Sequence, residues 1–425
     1  MRSRKVTILW LLACSVSAMV FFVLAFSGGE KKLEEQVTRE YALHDTQYQR
    51  ALGVMLGPPI TEGNHFEALH NGDQIFPSML VAIKGAQHSI SFETYIYWSG
   101  DIGRAFADAL AERSRAGVKV HVLLDWVGSA KVDESFVKEM EDAGVQIRKF
   151  HKPDWYDITR MNNRTHRKLL VVDGRIGFTG GVGIAPVWTG NAQDEEHWRD
   201  SHFKVEGPVV AQMQAVFMDN WIKVSGDVLH GERYFPAIEK SGEGRAQMFS
   251  SSPSGGSESM HLMYLLSIAA ATKSIDLASA YFVPDALTVD ALVAAMRRGV
   301  RLRIITPGPV TDSETVRKAS RVAWGPLLEA GAEISEYQRT MFHCKVFTVD
   351  GLLVSVGSTN FDNRSFRLND EANLNIYDAA FASAQTAQFE ADLKQSKRIT
   401  LEAWRERPAS EKALEYLAGL LSAQL

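Results

Sequence analysis

Cysteine is almost absent from this chain of 425 residues, which contains only Cys14 and Cys344. Cys14 lies in an apolar N-terminal run and Cys344 lies within a motif described below, so the two are not expected to pair and no disulfide framework is predicted. No group of Cys and His residues has the spacing of a zinc site. We therefore expect chemistry that needs no metal, or a metal that the spacing does not reveal.

An excess of positive charge is absent as well. The chain has 46 Lys and Arg residues against 51 Asp and Glu residues, which gives a net charge of −5. Such a charge provides no general attraction for the phosphates of nucleic acid, so we expect no nucleic-acid partner. The hydrophobic content of 45% argues against a disordered chain. The length suffices for two units that each bury a core.

A long hydrophobic run is found at residues 6–26, and it carries no charge. At about 1.5 Å per residue this run can cross a hydrocarbon core of about 30 Å. It follows Arg2, Arg4 and Lys5. Because basic residues before a first span tend to stay in the cytoplasm, we expect a single membrane anchor with the rest of the chain on the outer, periplasmic face of a bacterial inner membrane. A cleaved signal peptide and a lipoprotein signal ending at Cys14 remain as alternatives.

The most informative stretch is FHCKVFTVDGLLVSVGSTN at residues 342–360. His343 and Lys345 alternate with apolar residues before an Asp-Gly turn, which predicts a hairpin with both side chains on one face. A second copy, THRKLLVVDGRIGFTGGVG, occupies residues 165–183. A constant spacing of 177 pairs His166, Lys168, Asp173 and Gly180 with His343, Lys345, Asp350 and Gly357. Two copies in register are far less expected by chance than one His-x-Lys-x4-Asp motif.

The regions around the two motifs are repeated too. Residues 89–97 correspond to residues 274–282, and residues 116–125 correspond to residues 298–306. In both regions a strand pattern, a helical pattern and a second strand pattern follow one another, and this order favours a parallel sheet covered by helices. We therefore predict a duplicated α/β fold of two lobes, each with a mixed, mostly parallel β-sheet flanked by helices.

The patterns also predict how the chain is divided. We expect a membrane anchor at 1–29, a juxtamembrane stalk at 30–58 that is helical over 30–49, a first lobe at 59–240, a linker at 241–259 and a second lobe at 260–425. A helix at 209–224 is expected to pack its Met and aromatic side chains in a core. An alanine-rich helix is expected at 381–403. A final amphipathic helix at 411–423 is expected to pack on the second lobe, with a position on a membrane surface as the alternative.

Two His-x-Lys units suit a reaction at a phosphodiester. The anionic phosphate repels nucleophiles, so a site has to neutralise its oxygens, supply a nucleophile and protonate the leaving alkoxide. Lys168 and Lys345 can supply positive charge. One imidazole can attack phosphorus while the other protonates the leaving oxygen and then acts as a base on the incoming hydroxyl. Each imidazole needs a partner for its second nitrogen, and downstream carboxylates are the candidates.

Both motifs and several further segments resemble the phospholipase D superfamily, and most closely its bacterial cardiolipin synthases. The segments are NNRTHRKLLVVDG (162–174), WRDSHFKVEGP (198–208), YFVPDAL (281–287) and VGSTNFDNRSFRLNDE (356–371). The resemblance covers nearly all of the chain from residue 71 onward. It implies a bilobed phospholipase D-type fold with the site at the lobe interface, a phosphohistidine intermediate, and neither a metal nor another cofactor.

The resemblance also implies roles for the motif residues. His166 is expected to be the nucleophile, and His343 the general acid and then the base. Asp200 and Glu371 are expected to orient the two histidines. Asp173 and Asp350, although they belong to the catalytic motif, are expected to brace the hairpins.

Phosphate binding is expected to differ between the lobes. In the second lobe Ser358 and Asn360 match a phosphate-contacting Gly-Ser-x-Asn pattern. The first lobe has GGVG at residues 180–183 and lacks the Asn. Backbone N–H groups, with that of Gly181 among them, are expected to bind phosphate there instead.

The expected function is that of a membrane-anchored phosphatidyltransferase, which moves a phosphatidyl group between glycerophospholipids in the phospholipid membrane, producing cardiolipin and releasing a small alcohol. The alternatives are a hydrolytic phospholipase D, in which water enters at the second step, a phosphodiesterase on nucleic acid, and a non-catalytic scaffold.

Three further features have two interpretations each. Glu93 lines the cleft or pairs with a base, Arg364 contacts phosphate or forms a structural ion pair, and Trp155 with Tyr156 forms a rim for a lipid headgroup or a solvated loop.

Overall fold

A computed structural model of the protein describes residues 41–151, 162–253, 259–422 and 424, together with residues 10, 14–15, 17–19, 33 and 35–39. No helix among these residues is long and apolar enough to cross a membrane. Most of the anchor expected at 6–26 lies outside the described residues, as do Trp155 and Tyr156.

The first lobe follows the β-α-β order that its sequence pattern predicts. One helix, α1 (Thr46–Leu56), precedes it. The elements of the first lobe are β1 (Thr61–His70), α2 (Asn71–Gly85), β2 (Ser89–Thr94), α3 (Asp101–Arg115), β3 (Lys119–Asp125), α4 (Glu134–Asp142), β4 (Gln146–Phe150), β5 (Leu169–Val172), β6 (Ile176–Gly180), β7 (Ser201–Glu206) and α5 (Val210–Ser225). The Met and aromatic side chains of α5, including Met213, Phe217 and Trp221, are buried as predicted.

The second lobe repeats this order with additions. Its elements are β8 (Gly244–Ser251), α6 (Ser259–Ala270), β9 (Ser274–Ser279), β10 (Phe282–Val283), α7 (Ala286–Arg297), β11 (Arg301–Pro307), α8 (Glu314–Val322), α9 (Trp324–Glu329), β12 (Glu333–Tyr337), β13 (Lys345–Val349), β14 (Leu353–Gly357), β15 (Phe361–Asp362), α10 (Asn363–Arg367), β16 (Glu371–Tyr377), α11 (Ala379–Leu393), β17 (Ser396–Ile399), α12 (Leu401–Arg405) and α13 (Ala409–Gly419). Strands β10 and β15 form a separate pair.

The sheets of the two lobes are one continuous sheet. Its strand order is β17-β12-β11-β9-β13-β14-β16-β8-β1-β7-β6-β5-β2-β3-β4. Strands β8 and β1 join the halves by antiparallel pairing. A shared group of buried side chains, including Val171 of the first lobe and Val354 of the second, also packs across the junction. The lobes are therefore fixed against each other by both backbone and core.

The prediction of mostly parallel sheets is wrong. Among the described residues, the parallel pairs of the large sheet lie within β2-β3-β4 and within β9-β11-β12, and its other neighbours are antiparallel. The separate pair β10-β15 is parallel. The motif strands are joined by tight hairpins, as between β13 and β14, and a hairpin requires antiparallel pairing. The β-α-β pattern was therefore informative for three strands of each lobe and not for the remainder.

The predicted linker and stalk need correction. Strand β8 lies within the expected linker, 241–259, and pairs with both β16 and β1 near the centre of the sheet. Helix α1 belongs to the body of the second lobe, because its buried Leu52 joins that lobe's core and the hydroxyl of Tyr48 lies 3.0 Å from that of Ser267. Residues 35–39 and 41–45 of the expected helical stalk are not helical.

The alanine-rich helix ends earlier than predicted. Helix α11 stops at Leu393, and β17 then adds an antiparallel edge strand beside β12. The hydroxyl of Ser396 donates to the carbonyl of Asp392 at 2.8 Å. This bond satisfies one of the carbonyl groups that a helix end leaves free.

The final helix, α13, packs on the second lobe through the opposite face from the one expected. Glu415 and Ala418 are buried, and Glu415 pairs with Arg407 at 2.7 Å. The leucine side chains lie outside, with Leu417 58% and Leu420 64% exposed. An internal ion pair, rather than the leucine stripe, therefore directs the packing of this helix.

Candidate active site

Each motif histidine is oriented by a carboxylate from the other lobe. Nδ1 of His166, in the first lobe, lies 3.0 Å from Oε1 of Glu371 in the second. Nδ1 of His343, in the second lobe, lies 2.7 Å from Oδ2 of Asp200 in the first. All four side chains are buried. The pairs cross the junction of the lobes, so neither lobe contains a complete pair.

Backbone bridges hold both crossed pairs in place. The N–H of His166 donates to the carbonyl of Asp370, the residue before Glu371, at 2.9 Å. In the same way the N–H of His343 donates to the carbonyl of Arg199, the residue before Asp200, at 2.8 Å. Each histidine is thus fixed to its carboxylate by main chain as well as by side chain.

The two motif lysines lie beside the histidines. Nζ of Lys168 donates to the carbonyl of His166 at 2.7 Å, and Nζ of Lys345 donates to that of His343 at 2.8 Å. Nζ of Lys345 also lies 3.3 Å from Nε2 of His343. Burial lowers the pKa of Lys168 to about 7 and lowers the pKa of Lys345 as well. A bound anion would favour the charged form of both groups.

Burial and pairing decide the protonation of the histidines. Burial lowers the pKa of His166 to about 4, and burial together with the Lys345 ammonium lowers the pKa of His343. Burial alone would raise the pKa of Glu371 and Asp200, but the partner histidines hold both pKa values below the ordinary ones. The ionised carboxylates can only accept hydrogen bonds, so Nδ1 carries the proton and Nε2 keeps a lone pair.

A cavity of about 340 Å³ opens at the histidines. His166, Lys168 and His343 line it. The ring centre of Tyr95 lies 5.2 Å from that of His166, and the ring centre of Trp188 lies 5.3 Å from that of His343. The remaining lining residues are Ile96, Val127, Arg164, Trp198, Tyr281, Asp312, Asn360, Asp362, Arg364 and Asn369. Among the described residues, no three His, Cys, Asp or Glu side chains are grouped as metal ligands.

The motif aspartates lie away from the cavity, at the turns of the two hairpins. Asp173 accepts hydrogen bonds from the backbone N–H groups of residues 87–89 at 2.7–2.9 Å, where β2 begins. Asp350 accepts from the N–H groups of residues 272–274 at 2.7–3.0 Å, where β9 begins. Each aspartate therefore ties its hairpin to the start of the neighbouring antiparallel strand, and neither lines the cavity.

Two of the three residues expected to bind phosphate lie behind the carboxylates instead. The hydroxyl of Ser358 donates to Oε2 of Glu371 at 2.5 Å. The N–H of Gly181 donates to the carbonyl of Ser201 at 3.2 Å, and a Cβ at Gly181 would lie 2.3 Å from Oδ1 of Asp200. These residues shape the space around the carboxylates, and the N–H of Gly181 is already used by the main chain.

Asn360 is placed where it can meet a substrate. It lines the cavity, and its buried Oδ1 has no hydrogen-bond partner among the described residues. Asn369 shares both properties, and sequence reasoning missed it. Such amides have unused hydrogen-bonding capacity beside the two histidines.

The structure places Glu93 outside the cavity and Arg364 in its wall. Glu93 is fully buried and accepts hydrogen bonds from Thr165 and from Nδ2 of Asn220, the latter at 2.8 Å. It does not line the cavity. Arg364 does line the cavity, but its guanidinium donates to Asn162 and, from Nε, to the carbonyl of Gln424 at 3.0 Å.

Most of the lining residues that sequence reasoning missed come from the ends of strands. Tyr95 follows β2, Tyr281 follows β9, and Asp312 lies in the loop after β11. Side chains at the carboxyl ends of parallel strands commonly meet ligands, and this rule could have indicated them. The same rule could not have indicated Trp188, because this residue belongs to a short 3-10 helix between β6 and β7 and does not follow a parallel strand.

A duplicated fold that brings one imidazole of each lobe to a shared cavity, with a lysine ammonium group beside each imidazole, is that of a phosphodiester-transfer enzyme of the phospholipase D type. A family model described as "Cardiolipin synthase, PLD-like domain" matches residues 79–221 and 264–393. The chain therefore belongs to this family, and it is a phosphatidyltransferase of the phospholipase D superfamily.

Individual relatives agree with this assignment. "Cardiolipin synthase 1" of Bacillus anthracis is 35% identical over 393 residues, which cover 90% of this chain and 76% of that protein. "Cardiolipin synthase" of Geobacillus sp. (strain WCH70) is 32% identical over 98% of this chain and 88% of its own. The crystal structure of phosphatidylserine synthase from Haemophilus influenzae Rd KW20 has a TM-score of 0.67 at 13% identity, and covers 89% of this chain and 99% of that one. At that identity the likeness concerns the fold alone.

Proposed function

We propose that this enzyme transfers a phosphatidyl group from one glycerophospholipid to a free hydroxyl of another, which makes cardiolipin and releases a small alcohol. The crossed histidine–carboxylate pairs carry this proposal, because they leave Nε2 of both histidines available in one cavity. Lys168 also lines this cavity, and Lys345 lies beside His343. The names of the curated relatives supply the substrate class.

In the first step, Nε2 of His166 attacks phosphorus and the bond to the leaving oxygen breaks. His343, protonated at Nε2, gives its proton to that oxygen, so that an alcohol leaves and a phosphohistidine remains. Lys168, Lys345 and Asn360 bind the phosphate oxygens. The negative phosphate also raises the pKa of His343 toward the value that a general acid needs.

In the second step the acceptor hydroxyl gives its proton to Nε2 of His343 while its oxygen attacks phosphorus. The phosphorus–nitrogen bond breaks, and His166 returns to its neutral form. His343 regains the proton that it lost in the first step. Glu371 and Asp200 stabilise the positive charge that their imidazole partners carry in turn.

The product profile of the purified protein tests the proposal. Labelled phosphatidylglycerol is supplied in detergent micelles, with and without phosphatidylethanolamine, and the products are measured by mass spectrometry. Cardiolipin is expected, and the effect of the second lipid identifies the phosphatidyl donor. Phosphatidic acid alone would instead show a hydrolytic phospholipase D.

Variants of the two histidines test the assigned roles. His166→Ala should abolish turnover, and His343→Ala should abolish it or leave a trapped phosphoenzyme that labelled donor reveals. The exposed His230 provides the matched control, and His230→Ala should keep full activity. Normal turnover by either cavity variant would contradict the mechanism.

Chelation tests the expectation that imidazole and ammonium groups suffice. Activity should persist in excess chelator. A complete loss that an added divalent metal reverses would show that the residue roles are misassigned.

We also propose that residues 6–26 anchor the enzyme, with the cavity on the outer face of the inner membrane. The basic residues before this run support that orientation. Protease treatment of spheroplasts should then digest the catalytic region of the intact protein. Protection of that region until the membrane is permeabilised would place it on the cytoplasmic side.

A further inference from the structure

Equivalent loops of the two lobes bring different side chains to the cavity. Three strands of each lobe run parallel, β2-β3-β4 and β9-β11-β12, and binding residues commonly gather at the carboxyl ends of such strands. The loop after β3 contributes Val127, and the loop after β11 contributes Asp312. One wall therefore carries an apolar side chain where the other carries a carboxylate.

Asp312 is positioned by one neighbour. The hydroxyl of Tyr281 donates to Oδ2 of Asp312 at 2.6 Å, and both residues line the cavity. Oδ1 accepts no hydrogen bond from another described side chain, and Asp312 is exposed. The proposed mechanism uses neither residue, so the role of this pair has to be sought in another part of the substrate.

The sign of its charge separates Asp312 from the phosphate. A carboxylate repels an anionic phosphodiester, so this group is not part of the phosphate subsite. Asp312 belongs to the second lobe, in the loop after β11, and it lines the same cavity as the second-lobe histidine, His343. In the proposed reaction His343 serves the alcohol, both as it leaves and as it enters.

We propose that Asp312, held by Tyr281, is the subsite for the polar headgroup of the alcohol, and that it accepts a hydrogen bond from a hydroxyl or an ammonium group of that headgroup. The inference rests on the proposed function and adds a specificity-determining residue to it. A glycerol headgroup would offer a hydroxyl, and an ethanolamine headgroup would offer an ammonium. A headgroup without a donor would gain nothing from Asp312.

Single-turnover release of the headgroup tests the subsite directly, because this step needs no acceptor. Excess full-length enzyme is mixed with phosphatidylglycerol, phosphatidylethanolamine or phosphatidylmethanol, whose methyl headgroup has no hydrogen-bond donor. Loss of a hydrogen bond to a charged group corresponds to roughly a 10- to 100-fold effect. Asp312→Ala should therefore slow release of the headgroup by about that factor for whichever of phosphatidylglycerol and phosphatidylethanolamine the enzyme prefers, since both headgroups carry a hydrogen-bond donor. Release from phosphatidylmethanol should change less than about threefold.

Asp312→Asn and Tyr281→Phe refine the assignment. The amide keeps an acceptor oxygen but loses the charge, so Asp312→Asn should retain more activity with a hydroxyl headgroup than with an ammonium headgroup. Tyr281→Phe keeps the ring and removes the bond to Oδ2, so it should lower the same selectivity to a smaller extent. A selective loss with phosphatidylglycerol assigns the subsite to a hydroxyl, and a selective loss with phosphatidylethanolamine assigns it to an ammonium.

The controls separate this inference from the proposed function. Glu314→Gln removes the same charge two residues along the chain from a side chain that does not line the cavity, and it should leave all three rates unchanged. An equal loss with all three lipids in Asp312→Ala, or no loss with any, would overturn the headgroup subsite while the transferase remains. If the wild-type enzyme released no headgroup from any phospholipid, both proposals would fail.

Discussion

At the scale of single residues, the two lobes support their carboxylates differently. Glu371 receives a hydrogen bond from Ser358 at 2.5 Å, whereas Asp200 receives one from the indole N–H of Trp188 at 3.0 Å. Gly181 stands at the position that corresponds to Ser358, because the Asp200 carboxylate occupies the space that a side chain would fill. The duplicated sequence has thus diverged at the residues that hold the imidazoles.

Removing the charge of either carboxylate should slow the chemistry. In Glu371→Gln and Asp200→Asn the amide no longer fixes the tautomer or stabilises an imidazolium, so we expect kcat to fall roughly 10²- to 10⁴-fold with little change in KM. Steady-state kinetics in mixed micelles measures both constants. The exposed Asp227 gives the control Asp227→Asn, which should behave as wild type. A change confined to KM would contradict the orienting role.

Gly181→Ala should reproduce the effect of Asp200→Asn by a steric route. Its Cβ would lie 2.3 Å from Oδ1 of Asp200, so the carboxylate has to move away from His343. We expect kcat to fall at least about tenfold, since small displacements in a site have large effects. Gly85→Ala is the matched control, because a Cβ there meets nothing within 4 Å. Equal kcat values for the two variants would show that the position of Asp200 is not critical.

Glu93 should make the stability of the protein depend on pH. Burial raises its pKa from 4.5 to about 7. The unfolded chain therefore loses this proton at lower pH than the folded one, and the contribution of Glu93 to the free energy of unfolding falls as pH rises from 4.5 to 7. In Glu93→Gln this contribution is absent. As pH rises from 5 to 8, the free energy of unfolding of the variant should increase by about 2 kcal/mol relative to that of the wild type, as measured by urea denaturation. A pH-independent difference would contradict the raised pKa.

At the scale of elements, the duplicated hairpin is the unit that places the chemistry. Strands β5 and β6, like β13 and β14, turn at an Asp-Gly pair whose residues have positive φ, 52° at Asp173 and 54° at Asp350. The aspartate side chain then accepts hydrogen bonds from the backbone N–H groups at the start of the next strand along the sheet. One residue thus sets both the turn and the distance between two strands.

Asp350→Asn should therefore affect folding more than catalysis. Losing charge-assisted hydrogen bonds to backbone N–H groups is expected to lower the free energy of unfolding by about 1–3 kcal/mol. The kcat of the folded variant should remain within about threefold of wild type, because the residue lies outside the cavity. Urea denaturation and steady-state kinetics on one preparation check both values. A large fall in kcat with an unchanged free energy of unfolding would show that Asp350 acts in catalysis.

Sequence patterns predicted individual elements well and their partners poorly. The alternation of His343 and Lys345 with apolar residues was sufficient for the hairpin, and helical spacing was sufficient for α5. The strand β8 was missed because Ser and Gly follow it closely, and composition suggested a linker. The leucine stripe of α13 was assigned to the core because the pattern does not reveal the ion pair of Glu415 with Arg407.

At the scale of the whole molecule, the continuous sheet makes the two lobes one structural unit. Strands β1 and β8 pair directly, and buried side chains of both lobes pack together beside them. The sequence repeat predicted two lobes with one site, but it could not show which carboxylate serves which histidine. A constant spacing of 177 is equally compatible with pairing within a lobe and with pairing across the junction.

Thermal unfolding should consequently show a single cooperative transition. Phe92→Ala in the first lobe and Leu277→Ala in the second each remove a buried side chain, and each should lower that one transition by about 2–4 °C. Differential scanning calorimetry measures this. Two separate transitions, with each variant shifting only one, would show that the lobes unfold independently.

The crossing of the two pairs also bears on descent. In a twofold dimer of identical single lobes, each histidine would meet the carboxylate of the other copy, so an ancestor with this arrangement would have worked only as a pair. Fusion of the copies removes the need to find a partner and lets them diverge, as Glu371 and Asp200 have done. It also removes redundancy: neither carboxylate can substitute for the other, because each already serves a histidine of its own.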